Sequence, residues 1–362
     1  MRVLLERIFN GFRVVSTFKN YQELNSGHIN DTYLIHTHKK PNYVLQRING
    51  NVFSDAGNLV VNKVLVSDFL QLKYKNFPFE EVSKKVLCFV KTKDSAFFYK
   101  DEDQNIWNLS VFIEDSITYL KTPNSKIAFE AGKATGLFLE NTTDFDVALL
   151  TEILPDFHSI TTRYIQFKKA LKNATNATKE KTQSLISFVE QHIEEMLQID
   201  KAIEGGIIPL RLTHSDTKIS NILFTENKAL CLIDTDTVMK GAIHFDYGDA
   251  IRTICNTADE DEKDLNLVDF NLDFFKSYTK GFFQELKNIT KEEKEFLPVS
   301  IKMMPFIMGL RFLTDFLNMN VYYKVNYENH NLDRAKNQFA YIESINKKYT
   351  DVKLIIEREI TQ

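Results

Sequence analysis

Between His214 and Arg252 the chain reads HSDTKISNILFTENKALCLIDTDTVMKGAIHFDYGDAIR, and no other stretch is as dense in reactive side chains. The short apolar runs NILF and ALCLID flank the polar TENK, a pattern that predicts a β-hairpin. Asn221 opens one strand and Asp234 closes the other, which brings both side chains to the same open end. An amide oxygen and a carboxylate are hard donors suited to Mg²⁺, an ion that keeps several waters and shares phosphate oxygens with a substrate. Asp216, five residues before Asn221, then lies beside the ion without having to ligate it. A carboxylate placed there accepts a hydroxyl proton and aims the oxygen at a phosphorus atom.

The H-x-D-x-x-x-x-N order of His214, Asp216 and Asn221 follows the logic of kinase catalytic loops. With LIDTD after it, the stretch resembles the aminoglycoside phosphotransferase and choline kinase superfamily, small-molecule relatives of the protein kinases. An ordered series is more specific: SGHINDTY, YVLQRIN, FIEDSITY, PDFH, LIDTDTVMKG, FDYGDAIR, RFLTDFL and NLDRAKNQF, from about residue 20 to about 345. Together these resemble the N-acetylhexosamine 1-kinases, which phosphorylate the anomeric hydroxyl of GlcNAc or GalNAc with ATP. The resemblance implies an α+β, two-lobed, protein-kinase-like fold. Residues 1–115 would form an antiparallel-sheet nucleotide-binding lobe, and residues 116–362 a mainly helical catalytic and substrate-binding lobe. It also implies ATP and Mg²⁺ as cofactors. Asp246, twelve residues past Asp234, would anchor the catalytic-loop backbone, and Asp249 would accept hydrogen bonds from sugar hydroxyls.

Composition removes other classes. A formal net charge of −4 argues against a protein that binds nucleic acid by broad phosphate neutralisation. Cys88, Cys231 and Cys255 are odd in number, far apart and without C-x-x-C spacing, which suits a reduced cytoplasmic chain rather than a disulfide framework or a zinc site. Glu6 and Arg7 interrupt MRVLLERIFNGF, so a signal peptide is not expected. No apolar run approaches bilayer length, and no membrane partner is expected. A monomer or weak homodimer is the expected state.

In the first lobe, Leu4, Leu5, Ile8 and Phe12 mark a short amphipathic helix within residues 1–20, and residues 21–48 read as three strands. The loop NSGHIND offers Ser26, Gly27, His28 and Asn30 as a cover for ATP phosphates. The third strand has VLQR where kinases place a lysine. Strand alternation lets only one of Gln46 and Arg47 face the nucleotide, and Arg47 is chosen because it alone is positive. A helix over 54–71, capped by Ser54 or Asp55, shows no acid at its centre (Val60, Val61, Asn62, Lys63) to pair with such a cation. Two strands are expected over 84–100. A last strand and hinge follow over 106–116, with Phe112 to Glu114 offering backbone groups to adenine.

The second lobe reads as helices, including 124–140 and 177–199, and a closing helix with Asn331 as cap. His158 reads as a surface or core histidine rather than a site residue. Asp236 and Thr237, just past Asp234, are expected to face the substrate. Asp249 and Arg252 have i,i+3 spacing and could simply pair. Arg311, Tyr322 and Tyr323 supply a cation and amphipathic rings suited to a sugar. Two other readings stay open. One is a related kinase acting on choline, an amino alcohol or an aminoglycoside. The other is a nucleotide-binding pseudokinase, favoured by the missing strand lysine and disfavoured by the intact Asp216, Asn221 and Asp234.

Overall fold

The computed structural model describes residues 1–24 and 29–361. The chain divides into two compact units. The first comprises Met1–Thr118, Asn141–Pro155 and Asn221–Lys240; the second comprises Tyr119–Glu140, Asp156–Ser220 and the chain from Gly241 on. A single boundary near residue 115 therefore does not describe the molecule. Two sets of hydrogen bonds give the reason. Ile117 and Phe224 exchange both backbone bonds at 2.8 Å, which adds the hairpin to the first unit. Asn62 pairs with the backbone of Thr151 through Nδ2 (2.7 Å) and Oδ1 (3.0 Å), which holds segment 141–155 there.

Numbered along the chain, the elements up to the hinge are α1 (Arg2–Phe9), β1 (Phe18–Glu23), β2 (Asp31–Thr37), β3 (Tyr43–Arg47), α2 (Ala56–Lys73), α3 (Phe79–Lys85), β4 (Tyr99–Lys100) and β5 (Ile106–Val111). Those that follow are α4 (Ser125–Asn141), α5 (Ile160–Asn173), α6 (Asn176–Met196), α7 (Gln198–Glu204), β6 (Arg211–Thr213), β7 (Ile222–Thr225), β8 (Lys228–Leu232), α8 (Ile243–Ile254), α9 (Leu272–Glu285), α10 (Lys291–Leu317), α11 (His330–Lys347) and α12 (Tyr349–Ile360).

In the first unit an antiparallel sheet has the order β1-β2-β3-β5-β4. Leu45, Trp107 and Leu109 point into a core closed by Leu5, Ile8 and Phe9 of α1. The register sets Gln46 opposite Asn108 and Arg47 opposite Trp107. Residues 84–100 do not make the expected pair of strands. They hold the end of α3, isolated bridges at Phe89 and Thr92, and only the two-residue β4. Helix α2 starts where expected, with the Asp55 carboxylate accepting from Asn58 N. It is buried around much of its girth, and that buried surface includes Asn62 and Lys63.

The second unit is helical around α10, a 27-residue helix. It has the length and apolarity to cross a membrane, but 78% of that window is buried within the protein, so it serves as the core helix. Leu310, Leu313, Leu332, Phe339 and Val189 pack on this core. The expected 177–199 helix breaks at Leu197 into α6 and α7. Asn331 does not cap α11: it is buried and donates to Asp315 (2.9 Å). Helices α4 and α9 meet backbone to backbone. A Cβ on Gly132 would lie 2.0 Å from the Tyr278 carbonyl oxygen, and one on Gly281 would lie 2.0 Å from that of Phe129.

That contact sets a stability prediction. Gly132→Ala or Gly281→Ala forces the two backbones apart and is expected to cost about 3 kcal/mol, the upper end for overpacking. Gly206→Ala, at a left-handed residue with open space around it, should cost only about 1 kcal/mol, from conformation alone. Urea denaturation separates the two; equal losses would contradict the close helix contact.

Candidate functional site

In the second unit the segment after β6 is held by one carboxylate. Asp246, fully buried on α8, accepts the backbone N–H of His214 at Oδ2 (2.8 Å) and of Ser215 at Oδ1 (2.7 Å). Thr217 Oγ1 donates to the Asp246 carbonyl (2.6 Å), and Ile219 N to Thr253 Oγ1 (3.1 Å). On the other side the Ser215 carbonyl accepts from His158 Nε2 (2.9 Å). Burial pushes the His158 imidazole down to about 3, so the ring is neutral and serves as a donor. These bonds hold Ser215 in the left-handed region (φ 64°), a conformation that costs a non-glycine residue about 1–3 kcal/mol and needs its surroundings to fix it. His158, read from sequence as a surface or core histidine, is thus also a prop for the loop.

Asp216 sits at the centre of this loop, partly exposed. Burial would raise its carboxyl, but Lys218 at 2.7 Å, with His214 and Arg252, outweighs that and holds it below the usual carboxylate range. It is therefore ionised at neutral pH, as a proton acceptor must be. Asp246 behaves oppositely. Burial pushes it up to about 7 against the pull of its two backbone N–H bonds, with Asp249 and Asp216 adding repulsion.

In the first unit the hairpin forms as expected, with Ile222 opposite Leu232. Asn221 O accepts Ile233 N (2.8 Å) at the open end, so Asn221 and the residue before Asp234 are directly bridged. Asp234 is exposed and left-handed (φ 61°, ψ 53°), a strained conformation of the kind found where a carboxylate is aimed. Two oxygen donors at one hairpin end fit Mg²⁺, which needs only one or two protein oxygens beside water and phosphate. Among the described residues no group of three or more His, Cys, Asp or Glu is arranged to hold a metal ion.

Asp236, expected at the substrate, is instead buried in the first unit. Its Oδ1 pairs with Lys63 Nζ of α2, and its Oδ2 accepts from Asn30 Nδ2. Lys63 also donates to Gln46 Oε1 (2.8 Å), which accepts Asn108 Nδ2 as well (3.2 Å). Arg47 is a correction. Alternation along β3 turns it away from this group, and it pairs with Asp31 in a half-exposed bridge over the Trp107 ring. The buried cation beside the turn after Asp234 comes from α2, and Gln46, not Arg47, faces it. The sequence signal was present in Lys63, a lysine set between the apolar Val60 and Val64 in the middle of the helix, at the position where an acid was sought.

The hinge is also more committed than expected. Phe112 N donates to Asn42 O (2.9 Å), and the Glu114 carboxylate accepts Asn42 Nδ2 (2.8 Å) and pairs with Lys40 (3.2 Å). The Phe112 N–H and the Glu114 side chain are thus already engaged. Thr237 ends the short turn after Asp234 and is partly exposed. Ser26, Gly27 and His28 lie outside the described residues.

The remaining expected residues gather in the second unit. Asp249 pairs with Arg252 (2.9 Å), which also reaches Glu260 (3.0 Å). The other Asp249 oxygen, Oδ2, is buried with no hydrogen-bond partner among the described residues. Burial raises the Asp249 carboxyl, Arg252 pulls it down, and Asp216 is near enough to push it up again. Arg311 does not pair with Asp315. Its guanidinium lies within 6 Å of the rings of Phe157, Tyr322 and Tyr323. Asp315 accepts the backbone N–H of Tyr322 and Tyr323 (both 2.9 Å), fixing that turn. Tyr322 is exposed, whereas the Tyr323 hydroxyl is buried with no hydrogen-bond partner among the described residues. His158 feels the charges of both Arg311 and Asp216, which places Arg311 and its rings near the loop that carries Asp216.

Residues 120–274 match the model of the phosphotransferase enzyme family, APH. Solved structures share the fold along nearly the whole chain. A microcompartment-associated aminopropanol kinase aligns with a TM-score of 0.63 at 13% identity, covering 97% of this chain and 98% of that one. An amicoumacin kinase, in complex with AMP-PNP and Ca²⁺, aligns at 0.60 and 14%, covering 96% and 92%. Choline kinase from Cryptosporidium parvum Iowa II aligns at 0.57 and 13%, covering 96% of each chain. The fold is therefore aminoglycoside phosphotransferase-like, α+β, with an antiparallel sheet in the N-terminal part and helices in the C-terminal part.

Asp246→Ala strands two buried N–H donors and is expected to lower stability by about 2–5 kcal/mol. Lys218→Ala removes a half-exposed partner and should cost less than about 1 kcal/mol. Urea denaturation of both variants checks the contrast, and a harmless Asp246→Ala would contradict the anchoring role.

Proposed function

We propose that this chain is an ATP-dependent small-molecule kinase whose acceptor is the anomeric hydroxyl of an N-acetylhexosamine, GlcNAc or GalNAc. The observation that carries the reading is Asp216, ionised and held at the centre of a loop fixed by Asp246 and His158. Asp216 orients the acceptor hydroxyl and takes its proton as the oxygen bonds to the γ-phosphorus and the bond to the bridging oxygen of ADP breaks. An anomeric hydroxyl is more acidic than an ordinary alcohol, so a carboxylate below its usual range suffices as base. Asn221 and Asp234 would hold Mg²⁺, which offsets charge on the β- and γ-phosphates. The rest is positioning. Asp249 Oδ2 and the Tyr323 hydroxyl are buried and have no partner among the described residues, and both are suited to sugar hydroxyls. Arg311 suits the acetamido carbonyl, and Tyr322 offers a ring to stack. Asp236 is absent from this set because Lys63 and Asn30 occupy it. Three buried free cysteines suit a reducing, cytoplasmic setting.

The substrates named for two of the structural neighbours favour a second reading, a kinase of choline, an amino alcohol or an aminoglycoside. The Arg163 pKa is lowered by burial and then by the nearby charge of Arg311, and two cations in one region count against a cationic substrate. ADP release from ATP and Mg²⁺ with GlcNAc, GalNAc, galactose, glucose, choline and kanamycin decides between them. Turnover is expected on the N-acetyl sugars, and Asp216→Asn should reduce it by about 10²–10⁴-fold; turnover on choline or kanamycin alone would favour the second reading.

A pH prediction follows from Lys218. Activity requires ionised Asp216 and is lost as pH falls through its pKa. Because Lys218 holds that pKa down, Lys218→Ala should move the acid limb of kcat/KM to higher pH. An unmoved limb would argue against Asp216 as base.

A further inference from the structure

We propose that Lys63 is a positioning residue for the metal ligand Asp234, acting through Asp236; this rests on the reading of Asn221 and Asp234 as the Mg²⁺ pair. Burying an ammonium and a carboxylate costs more in lost hydration than an apolar pair of the same size would. Yet α2 buries Lys63 against Asp236, with side chains 4% and 5% exposed. Such a pair adds direction where an apolar contact adds only bulk. Both Asp236 oxygens are engaged, Oδ1 by Lys63 and Oδ2 by Asn30. Asn30 Oδ1 in turn accepts Asn49 N (2.9 Å), and Lys63 is tied to β3 through Gln46 (2.8 Å).

The consequence falls two residues upstream. Asp234 holds a left-handed backbone, and such a residue persists only when its surroundings fix it. On its N-terminal side Ile233 is bonded to Asn221. On its C-terminal side the turn Thr235–Thr237 is fixed by the Asp236 pair. Lys63 also neutralises a carboxylate that would otherwise compete with Asp234 for the cation. The role differs from that of a lysine on the third strand, because Lys63 reaches the site through a protein carboxylate. Residues that orient metal ligands in this indirect way typically account for about 10–100-fold in metal affinity.

The test uses the full chain with ADP and Mn²⁺, bound ion being read from the loss of the free Mn²⁺ electron paramagnetic resonance signal, together with urea denaturation. Lys63→Met leaves Asp236 buried and unpaired, and should lower both stability and Mn²⁺ affinity. The double variant Lys63→Met with Asp236→Leu replaces the pair by apolar side chains and should regain stability. Its Mn²⁺ affinity should nevertheless stay about 10–100-fold weaker than wild type. Asn30→Ala, which releases one Asp236 oxygen and leaves the ion pair, should weaken Mn²⁺ binding in the same sense without loss of the fold. Wild-type affinity in the double variant, or in Asn30→Ala should the double variant not fold, would overturn the proposal and leave Lys63 a purely structural residue. A wild-type protein that binds ADP without Mn²⁺ would overturn the assignment of Asn221 and Asp234, and this proposal with it.

Discussion

Two adjacent backbone N–H groups, those of His214 and Ser215, end on the two oxygens of one buried carboxylate, Asp246. Everything the second unit offers to chemistry depends on that interaction. It fixes the peptide next to Asp216, and it allows Ser215 a left-handed backbone that turns the chain between β6 and the hairpin. His158 closes the other side by donating to the Ser215 carbonyl. The result is a carboxylate whose position is set by buried bonds, while its ionisation is set separately by Lys218. Position and charge are thus controlled by different residues.

The first unit uses the same device at Asp234. Asp234 is strained, exposed and flanked by fixed residues: Asn221 bridges to Ile233, and Asp236 is locked by Lys63 and Asn30. In both places a reactive aspartate sits next to a residue or turn whose bonds are buried. Neither arrangement relies on a loop ordering itself around a ligand, which suits chemistry that depends on positioning and preorganised charge.

Much of this was legible in the sequence. The anchor at Asp246 was readable only through the family resemblance, whereas the hairpin and its open-end pair follow from spacing and turn chemistry, which are local or nearly so. The capping of α2 by Asp55 was readable for the same reason. What could not be read was nonlocal. Nothing in VLQR says which of Gln46 and Arg47 faces inward, because alternation fixes only that they differ; the partner on α2 decides it, 17 residues from Gln46. Asp236 was assigned to substrate from its place after Asp234, and a lysine 173 residues away had claimed it. The membership of segments 141–155 and 221–240 in the first unit likewise rests on long-range bonds, those of Asn62 and Ile117. Residues 84–100 alternate well enough to suggest strands, but a strand ladder takes only Tyr99 and Lys100, with single bridges at Phe89 and Thr92.

The claim at the centre of this account is that Asp216 directs a phosphoryl group to the anomeric oxygen of a sugar. Phosphorus and proton NMR of the product formed from ATP and GlcNAc tests it directly. The account predicts a single new phosphomonoester resonance split into a doublet by the anomeric proton. A resonance split by the two protons of a primary carbon would place the phosphate on the 6-hydroxyl and contradict it.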